Sequence, residues 1–275
     1  MSKTITFIGA GNMTRALISG LVQGESALTI RIADPNEAQR NAITSAWHQV
    51  TAFSDNASAI DGADIVVFAT KPQVLQTVCE SFKDKLTTQG IVQKKPLLIS
   101  VAAGITLESM QQWLGCDLAI VRCMPNTPAL VQSGMTGLVA NQVTNEEQRN
   151  LAESILRSVG NTLWFGDEDK LNAVTAVSGS GPAYFFLVME AMQASAQKLG
   201  LDEKDARLLV LQTAFGAAKL ALESEDDAAT LRQRVTSKGG TTEAALKVLI
   251  EGGLLTLFDD ALKAANDRSI ELSQG

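Results

Sequence analysis

Two glycine-rich turns stand out as places where side chains step aside and leave backbone N–H groups to meet an anion. The first is Phe7-Ile8-Gly9-Ala10-Gly11-Asn12-Met13-Thr14-Arg15-Ala16, which follows a short β-branched run and opens a helix. Glycine at position 9 permits a tight turn, and glycine at 11 lets backbone approach a pyrophosphate. The helix start behind them offers free N–H groups and partial positive charge. Ile8, Gly9, Ala10, Gly11, Asn12 and Met13 are therefore expected to hold a dinucleotide. A bare match of this kind is a weak signal, and Thr14 stands where the third glycine would be. Context strengthens it: a strand precedes, a helix follows, and a second strand ends on Asp34 about 20 residues on, where a carboxylate binds an adenine ribose. Such a carboxylate repels a 2′-phosphate and favours NADH. In the alternative reading Asp34-Pro35-Asn36 is only a capping turn, with Arg31 or Arg40 free to hold a phosphate. The cofactor expected is thus NADPH or NADH.

The second turn is Val235-Thr236-Ser237-Lys238-Gly239-Gly240-Thr241-Thr242-Glu243-Ala244-Ala245. It is a Gly-Gly turn running straight into a helix. Free N–H groups at residues 240 to 242 would suit a carboxylate. Hydroxyls at Ser237, Thr241 and Thr242 converge on the same place. A cap on the helix by Thr241 or Thr242 would explain one hydroxyl, but not this many hydroxyls with two glycines.

Three further segments follow strand-like runs and should meet the first turn at one sheet edge. Ala69-Thr70-Lys71-Pro72 and Val101-Ala102-Ala103-Gly104 are expected to border the cofactor, the small residues leaving room for a flat nicotinamide ring. Met124-Pro125-Asn126-Thr127-Pro128 carries two prolines, which stiffen a loop. The single histidine, His48, lies in a polar stretch and reads as solvated. No metal site is expected, because the three cysteines (Cys79, Cys116, Cys123) lack C-x-x-C spacing.

The elements that must position these residues fall into two textures. Strands at Thr4-Ile8, Leu28-Ala33, Ile65-Ala69, Leu97-Ala102 and Ala119-Cys123 alternate with helices, the pattern of a doubly wound parallel sheet. From Leu171 onward almost no strand signal remains, and helices are expected over 182–199, 203–223, 228–234, 243–251 and 255–272. The fold class is α/β: an N-terminal Rossmann-type domain over residues 1–165, then an all-helical dimerisation and substrate-binding domain over 166–275. Ala183-Tyr184-Phe185-Phe186-Leu187-Val188-Met189 and Leu208-Leu209-Val210-Leu211 are apolar on more than one side. A helix apolar all round needs burial all round, so an obligate homodimer through this domain is expected.

Bulk properties remove other classes. The chain has 275 residues and a formal charge of −7, with no basic cluster for nucleic acid. Met1-Ser2-Lys3 runs directly into the first strand, which reads as no signal peptide. The apolar run Leu171 to Met189 contains Ser178-Gly179-Ser180-Gly181-Pro182, expected to break any membrane helix. An odd, unpaired cysteine set fits a reducing cytoplasm.

Taken in order, Ile8–Met13, Val101–Gly104, Arg122-Cys123-Met124-Pro125-Asn126-Thr127-Pro128, Ser178-Gly179-Ser180-Gly181-Pro182-Ala183-Tyr184 and Ser237–Thr242 resemble the Δ1-pyrroline-5-carboxylate reductases, across essentially the whole chain. The resemblance implies pyrroline-5-carboxylate as substrate, hydride transfer from NAD(P)H to its imine carbon, L-proline as product, and a homodimer or homodecamer. It further implies that Thr242 assists the imine nitrogen. Ser237, Gly240 and Thr241 would hold the substrate carboxylate, and Asn56, Thr70 and Lys71 would touch the cofactor. Two departures stand out: Lys238 occupies a position where other members often carry proline, and Asp34 one where some carry a small polar residue. Of two rival readings, a β-hydroxyacid dehydrogenase needs an Asn-x-x-Lys pair, and no Asn here precedes a Lys by three. A non-catalytic dinucleotide-binding assembly protein leaves the hydroxyls around 236–242 without a role.

Overall fold

A computed structural model describes residues 2–24, 27–87 and 95–273. It divides into two compact units, residues 1–180 with 265–275, and residues 181–264.

The first unit is built on one eight-stranded sheet of order β3-β2-β1-β4-β5-β6-β7-β8. Its strands are β1 (Thr4–Ile8), β2 (Thr29–Ala33), β3 (Thr51–Phe53), β4 (Ile65–Phe68), β5 (Leu97–Ser100), β6 (Ile120–Met124), β7 (Gly134–Ala140) and β8 (Gly160–Trp164). The first six are parallel. β7 runs antiparallel to β6, and β8 runs with β7. The order 3-2-1-4-5-6 is that of a doubly wound dinucleotide fold, whose connections diverge between β1 and β4. Alternate residues of β4 explain the layering. Ile65 and Val67 join one apolar cluster with Leu17, Ile18 and Leu21 of α1 (Asn12–Gln23) and Ile155 of α6 (Glu146–Arg157). Val66 and Phe68 join the other, with Leu75 and Cys79 of α4 (Pro72–Thr87) and Met110 of α5 (Leu107–Leu114). A sheet covered on both faces needs strands apolar on both faces, which is why β4 reads Ile-Val-Val-Phe.

The expected strands and helices of this half are present within a few residues. β3, β7 and β8 had not been expected. β7 and β8 carry glycines that weaken a strand signal, and the fold needs them. Gly160 has φ +147, and a Cβ on it would stand 2.0 Å from the Gly134 carbonyl oxygen. A Cβ on Gly137 would strike Val174 at 2.8 Å. Two further helices of this unit are α2 (Glu37–Ala46) and α3 (Asn56–Ala59).

After β8 the chain enters α7 (Lys170–Val174), a π-type turn over Thr175–Gly179, and α8 (Gly181–Lys198). The expected break at Ser178–Pro182 is corrected here. Lys170–Lys198 is one helical stretch, long and apolar enough to cross a membrane by length and composition. The wider π turn takes in Gly179, Gly181 opens α8, and Pro182 sits in the first turn of α8, where a missing N–H leaves no bond unmade. The change of texture expected at 165 also precedes the division at 180, because α7 and the π turn pack on the sheet: Leu171 and Val174 belong to the Phe68 cluster.

The second unit contains α8, α9 (Glu203–Glu223), α10 (Ala228–Arg234), α11 (Thr241–Glu251) and the first part of α12 (Leu254–Ser273). It buries little by itself. Phe185, Phe186 and Leu187 are 67%, 62% and 65% exposed, three successive residues that cover most of the helix circumference. The last turns of α12 return to the first unit, where Ser269 Oγ bonds buried Asn172 Oδ1 of α7 at 2.8 Å.

Candidate active site

The carboxyl ends of β1 to β5 lie along one edge of the first unit's sheet, and every residue expected at the cofactor ends or follows one of them. Gly9 leaves β1 with φ +101. A Cβ there would sit 2.6 Å from the Ala69 carbonyl oxygen, where the chain leaves β4, so only glycine fits. Its N–H donates to the Ala33 carbonyl at 2.8 Å, and the Ala69 N–H donates to Ile8 O at 2.8 Å. These bonds tie the exits of β1, β2 and β4 together. Gly11 is the N-cap of α1, with no side chain capping it, and a Cβ on it would meet nothing within 4 Å. Open space over an uncapped helix start, next to Asn12 and Met13, fits a pyrophosphate.

Asp34 leaves β2 half-buried. Its Oδ2 accepts the Ala10 N–H and its Oδ1 the Asn36 N–H, both at 2.8 Å. The carboxylate therefore braces the glycine turn, while Asn36, not Asp34, caps α2. The two guanidinium groups that could have met a phosphate are turned to backbone. Arg31 donates to Asp61 O at 2.7 Å, and Arg40 to Asp34 O at 2.7 Å and Pro35 O at 3.0 Å. Asn56 begins α3 just beyond β3. Beyond β4, Ala69 is followed by Thr70, whose Oγ1 is buried without a partner among the described residues. Lys71 is exposed, and Pro72 is the first residue of α4. Beyond β5, Val101 donates to Phe68 O at 3.1 Å, Ala102 is buried, and Ala103 leads into Gly104 at φ +75. The orphaned Thr70 hydroxyl and the uncapped α1 give this edge the polar groups a dinucleotide would use.

Beyond β6, Asn126 does what its sequence did not announce. Its Nδ2 donates to Ser178 O in the π turn at 3.0 Å, and its Oδ1 accepts the Met135 N–H at 2.9 Å. A Cβ on Gly179 would lie 2.5 Å from Met124 Cε. The proline loop and the Ser-Gly-Ser-Gly segment, expected separately, are thus one packed corner of the first unit. The spacing of neither motif carries that information, since the contact spans 52 residues.

In the second unit, Ser237, Gly240, Thr241 and Thr242 stand together at the start of α11. The N-cap is Gly240, again without a side-chain cap, so neither threonine serves as one. One expectation is corrected. The Gly240 N–H is not free, because it closes a turn onto Ser237 O at 3.0 Å. Those of Thr241, Thr242 and Glu243 precede the first helical bond, from Ala244 to Gly240 O. A Cβ on Gly240 would meet Ser237 Oγ at 2.5 Å, so glycine is needed for the hydroxyl to lie over the helix start. Thr236 leaves the cluster: its hydroxyl bonds Arg232 O at 2.6 Å. Sequence reasoning missed Glu243, whose Oε2 accepts the Gly239 N–H at 2.7 Å.

His48 is exposed, as expected. Among the described residues no group of three His, Cys, Asp or Glu side chains could hold a metal. Burial pushes the Cys79 thiol up to about 12 and the Cys123 thiol higher still.

A doubly wound sheet with an uncapped, glycine-led helix start at its switch point defines a dinucleotide-dependent oxidoreductase of the Rossmann class. The chain belongs to the pyrroline-5-carboxylate reductase family. Residues 168–272 match the family described as pyrroline-5-carboxylate reductase dimerisation, and residues 4–104 the one described as NADP oxidoreductase coenzyme F420-dependent. A pyrroline-5-carboxylate reductase of Pseudomonas aeruginosa is 47% identical over 98% of this chain and 97% of its own. One of Haemophilus influenzae is 44% identical over 98% and 97%. The solved structure of a pyrroline-5-carboxylate reductase from Coxiella burnetii superposes with a TM-score of 0.91 at 44% identity, covering 99% of each chain. That of a pyrroline carboxylate reductase from Plasmodium falciparum, with NADP bound, superposes at 0.84 and 26%, covering 98% of each.

Proposed function

We propose that the chain reduces the cyclic imine of pyrroline-5-carboxylate to L-proline with NAD(P)H. One observation carries this reading. Two long helices, α1 and α11, start on a glycine N-cap in extended conformation with no side-chain cap hydrogen bond. By contrast α2, α5, α6, α9 and α10 are each capped by their own Asn, Thr or Asp. Two helix starts left open to anions suit two anionic ligands, a pyrophosphate and a carboxylate.

When bound, the nicotinamide supplies the hydride. Gly9 to Met13, Asp34, Asn56, Ala69 to Pro72 and Val101 to Ala103 bind and orient the dinucleotide. The N–H groups of Thr241 and Thr242, with the Ser237 hydroxyl, hold the substrate carboxylate. The Thr242 hydroxyl hydrogen-bonds the imine nitrogen as the carbon accepts the hydride. The C=N π pair becomes the nitrogen lone pair and takes up one proton from solvent, directly or relayed through that hydroxyl, so imine, hydride and proton give the neutral C–N amine and Thr242 ends unchanged. Such chemistry depends on placement more than on a strong acid or base, which agrees with a chain holding one exposed histidine.

NADH is the preferred cofactor in this reading. Asp34 would stand beside a 2′-phosphate, and Arg31 and Arg40 are committed to backbone carbonyls. The assembly is a homodimer through the helical unit, or a decamer built from it. The long apolar stretch Lys170–Lys198 serves that interface and not a membrane, since the dimerisation family covers it from residue 168. Three free cysteines accord with the cytoplasm. The test is consumption of NADH and NADPH, followed side by side with pyrroline-5-carboxylate. Thr242→Ala is expected to lower kcat/KM about a hundredfold, the order of one lost donor to developing charge, with Tm unchanged. Unchanged kinetics would remove Thr242 from the reaction, and a strong NADPH preference would overturn the role given to Asp34.

A further inference from the structure

The segment Ser237–Gly240 has the marks of a type II β-turn. Its ends are joined by the Gly240 N–H to Ser237 O bond at 3.0 Å. Gly239, the third residue, has φ +72, and Lys238, the second, is not among the positive-φ residues. A turn of this type takes glycine at the third position and favours proline at the second, where the ring fixes φ in advance. This chain has glycine in the first of those places and a freely rotating lysine in the other.

Glu243 meets the resulting slack. It is the third residue of α11, and its carboxylate reaches back across the helix start to take the Gly239 N–H at 2.7 Å. That N–H points away from the turn's own hydrogen bond and would otherwise face water. The reach resembles the returning acid of a capping box, with one difference: the bond lands on the turn and not on the N-cap. Among the described residues no hydrogen bond uses the N–H groups of Thr241, Thr242 or Glu243 itself, and Ser237 Oγ lies beside the same helix start, 2.5 Å from where a Cβ on Gly240 would be. The contact closes a ring in which turn, N-cap and first helical turn move as one piece. Glu243 is otherwise exposed, so packing does not account for its placement.

We propose that Glu243 is a positioning residue for the substrate. It substitutes for the rigidity a proline at 238 would give, and fixes the turn that presents Ser237 and the N–H groups of α11 to the substrate carboxylate. This inference rests on the reading of Ser237–Thr242 as the carboxylate site.

The experiment measures kcat and KM for pyrroline-5-carboxylate, with Tm, in Glu243→Ala, Glu243→Gln, Glu243→Ala combined with Lys238→Pro, and Ser237→Ala. Loss of one hydrogen bond of this kind should raise KM in Glu243→Ala about three- to tenfold, with kcat little changed. Glu243→Gln keeps an acceptor oxygen and should stay near the parent value. Lys238→Pro should restore most of the lost KM in the Glu243→Ala background, because the ring pre-sets the turn. An unchanged KM in Glu243→Ala, a loss of kcat in place of KM, or a failure of Lys238→Pro to restore KM overturns the proposal. If Ser237→Ala raises KM while Glu243→Ala does not, only the brace is lost. If neither raises it, the carboxylate site itself is lost, and the brace with it.

Discussion

Thr14 sits where a third glycine would let helix and strand approach closely. Its side chain is fully buried, and its hydroxyl donates to the Gly9 carbonyl at 2.6 Å. The turn has replaced a small residue with an internal hydrogen bond, so the departure from the glycine pattern locks the loop. Asp34 shows the same economy: the carboxylate proposed for the cofactor ribose also ties Ala10 and Asn36. Residue-scale environment also sets the thiols. Desolvation raises Cys79 from the ordinary 9.0 to about 12, with a smaller push from Glu80. Burial alone raises Cys123 further. Cys116, only half-buried, is raised by desolvation, with Lys95 opposing. A thiol reagent near pH 8 should therefore modify Cys116 first and the other two only on unfolding. Equal rates for all three would contradict this. The linkage has a definite sign. An acid whose folded pKa is raised gives stability that is complete below 9.0 and declines as pH rises towards 12, since unfolded chains release protons the folded chain keeps. Urea midpoints near pH 8 and near pH 10 should fall in that order.

At the scale of elements, the loop after β8 is held by one carboxylate. Glu168 Oε1 meets Arg122 of β6 at 2.6 Å and accepts the Leu107 N–H at the start of α5 at 2.8 Å. The Arg122 side chain is 6% exposed and that of Glu168 25%. Removing the acid strands a buried cation. Glu168→Ala is expected to lower stability by about 2–3 kcal/mol, less than for a fully buried pair because Glu168 keeps part of its surface in water. Chemical denaturation checks this, and a change below about 0.5 kcal/mol, the size of a surface effect, would mean the pair is merely local. No sequence signal joins residues 107, 122 and 168. Legibility follows the range of the physics. Five strands and the long helices were readable because apolar period and caps are local, as with Asp202 before α9. β7 and β8 were not, because Gly134, Gly137 and Gly160 answer to contacts with Val159, Val174 and each other. Both open helix starts were readable as glycine turns. Asn126 and Glu243 were not, because what matters in each is the backbone group it reaches.

Considered whole, the helical unit explains its own composition. Leu208, Leu209 and Phe215 on α9, and Leu255 and Leu257 on α12, are exposed alongside the α8 aromatics. Apolar surface on this scale marks an interface, in agreement with the dimerisation family matched over 168–272. Phe185→Lys combined with Leu209→Lys should shift the mass seen by light scattering towards monomer, and make Tm depend more steeply on concentration. An unchanged mass on dilution would place the interface elsewhere. The path of α12 has a separate consequence. Its first part belongs to the helical unit, but from residue 265 it lies with the nucleotide unit. There Ser269 bonds Asn172, and the Leu272 carbonyl oxygen stands 3.0 Å from where a Cβ on Gly104 would be. The nucleotide unit is thus assembled from two stretches of chain separated by the helical unit. A ribosome finishes its sheet at Trp164 but cannot close that unit until residues 265–273 emerge, after the helical unit, so the two units mature together and not in succession.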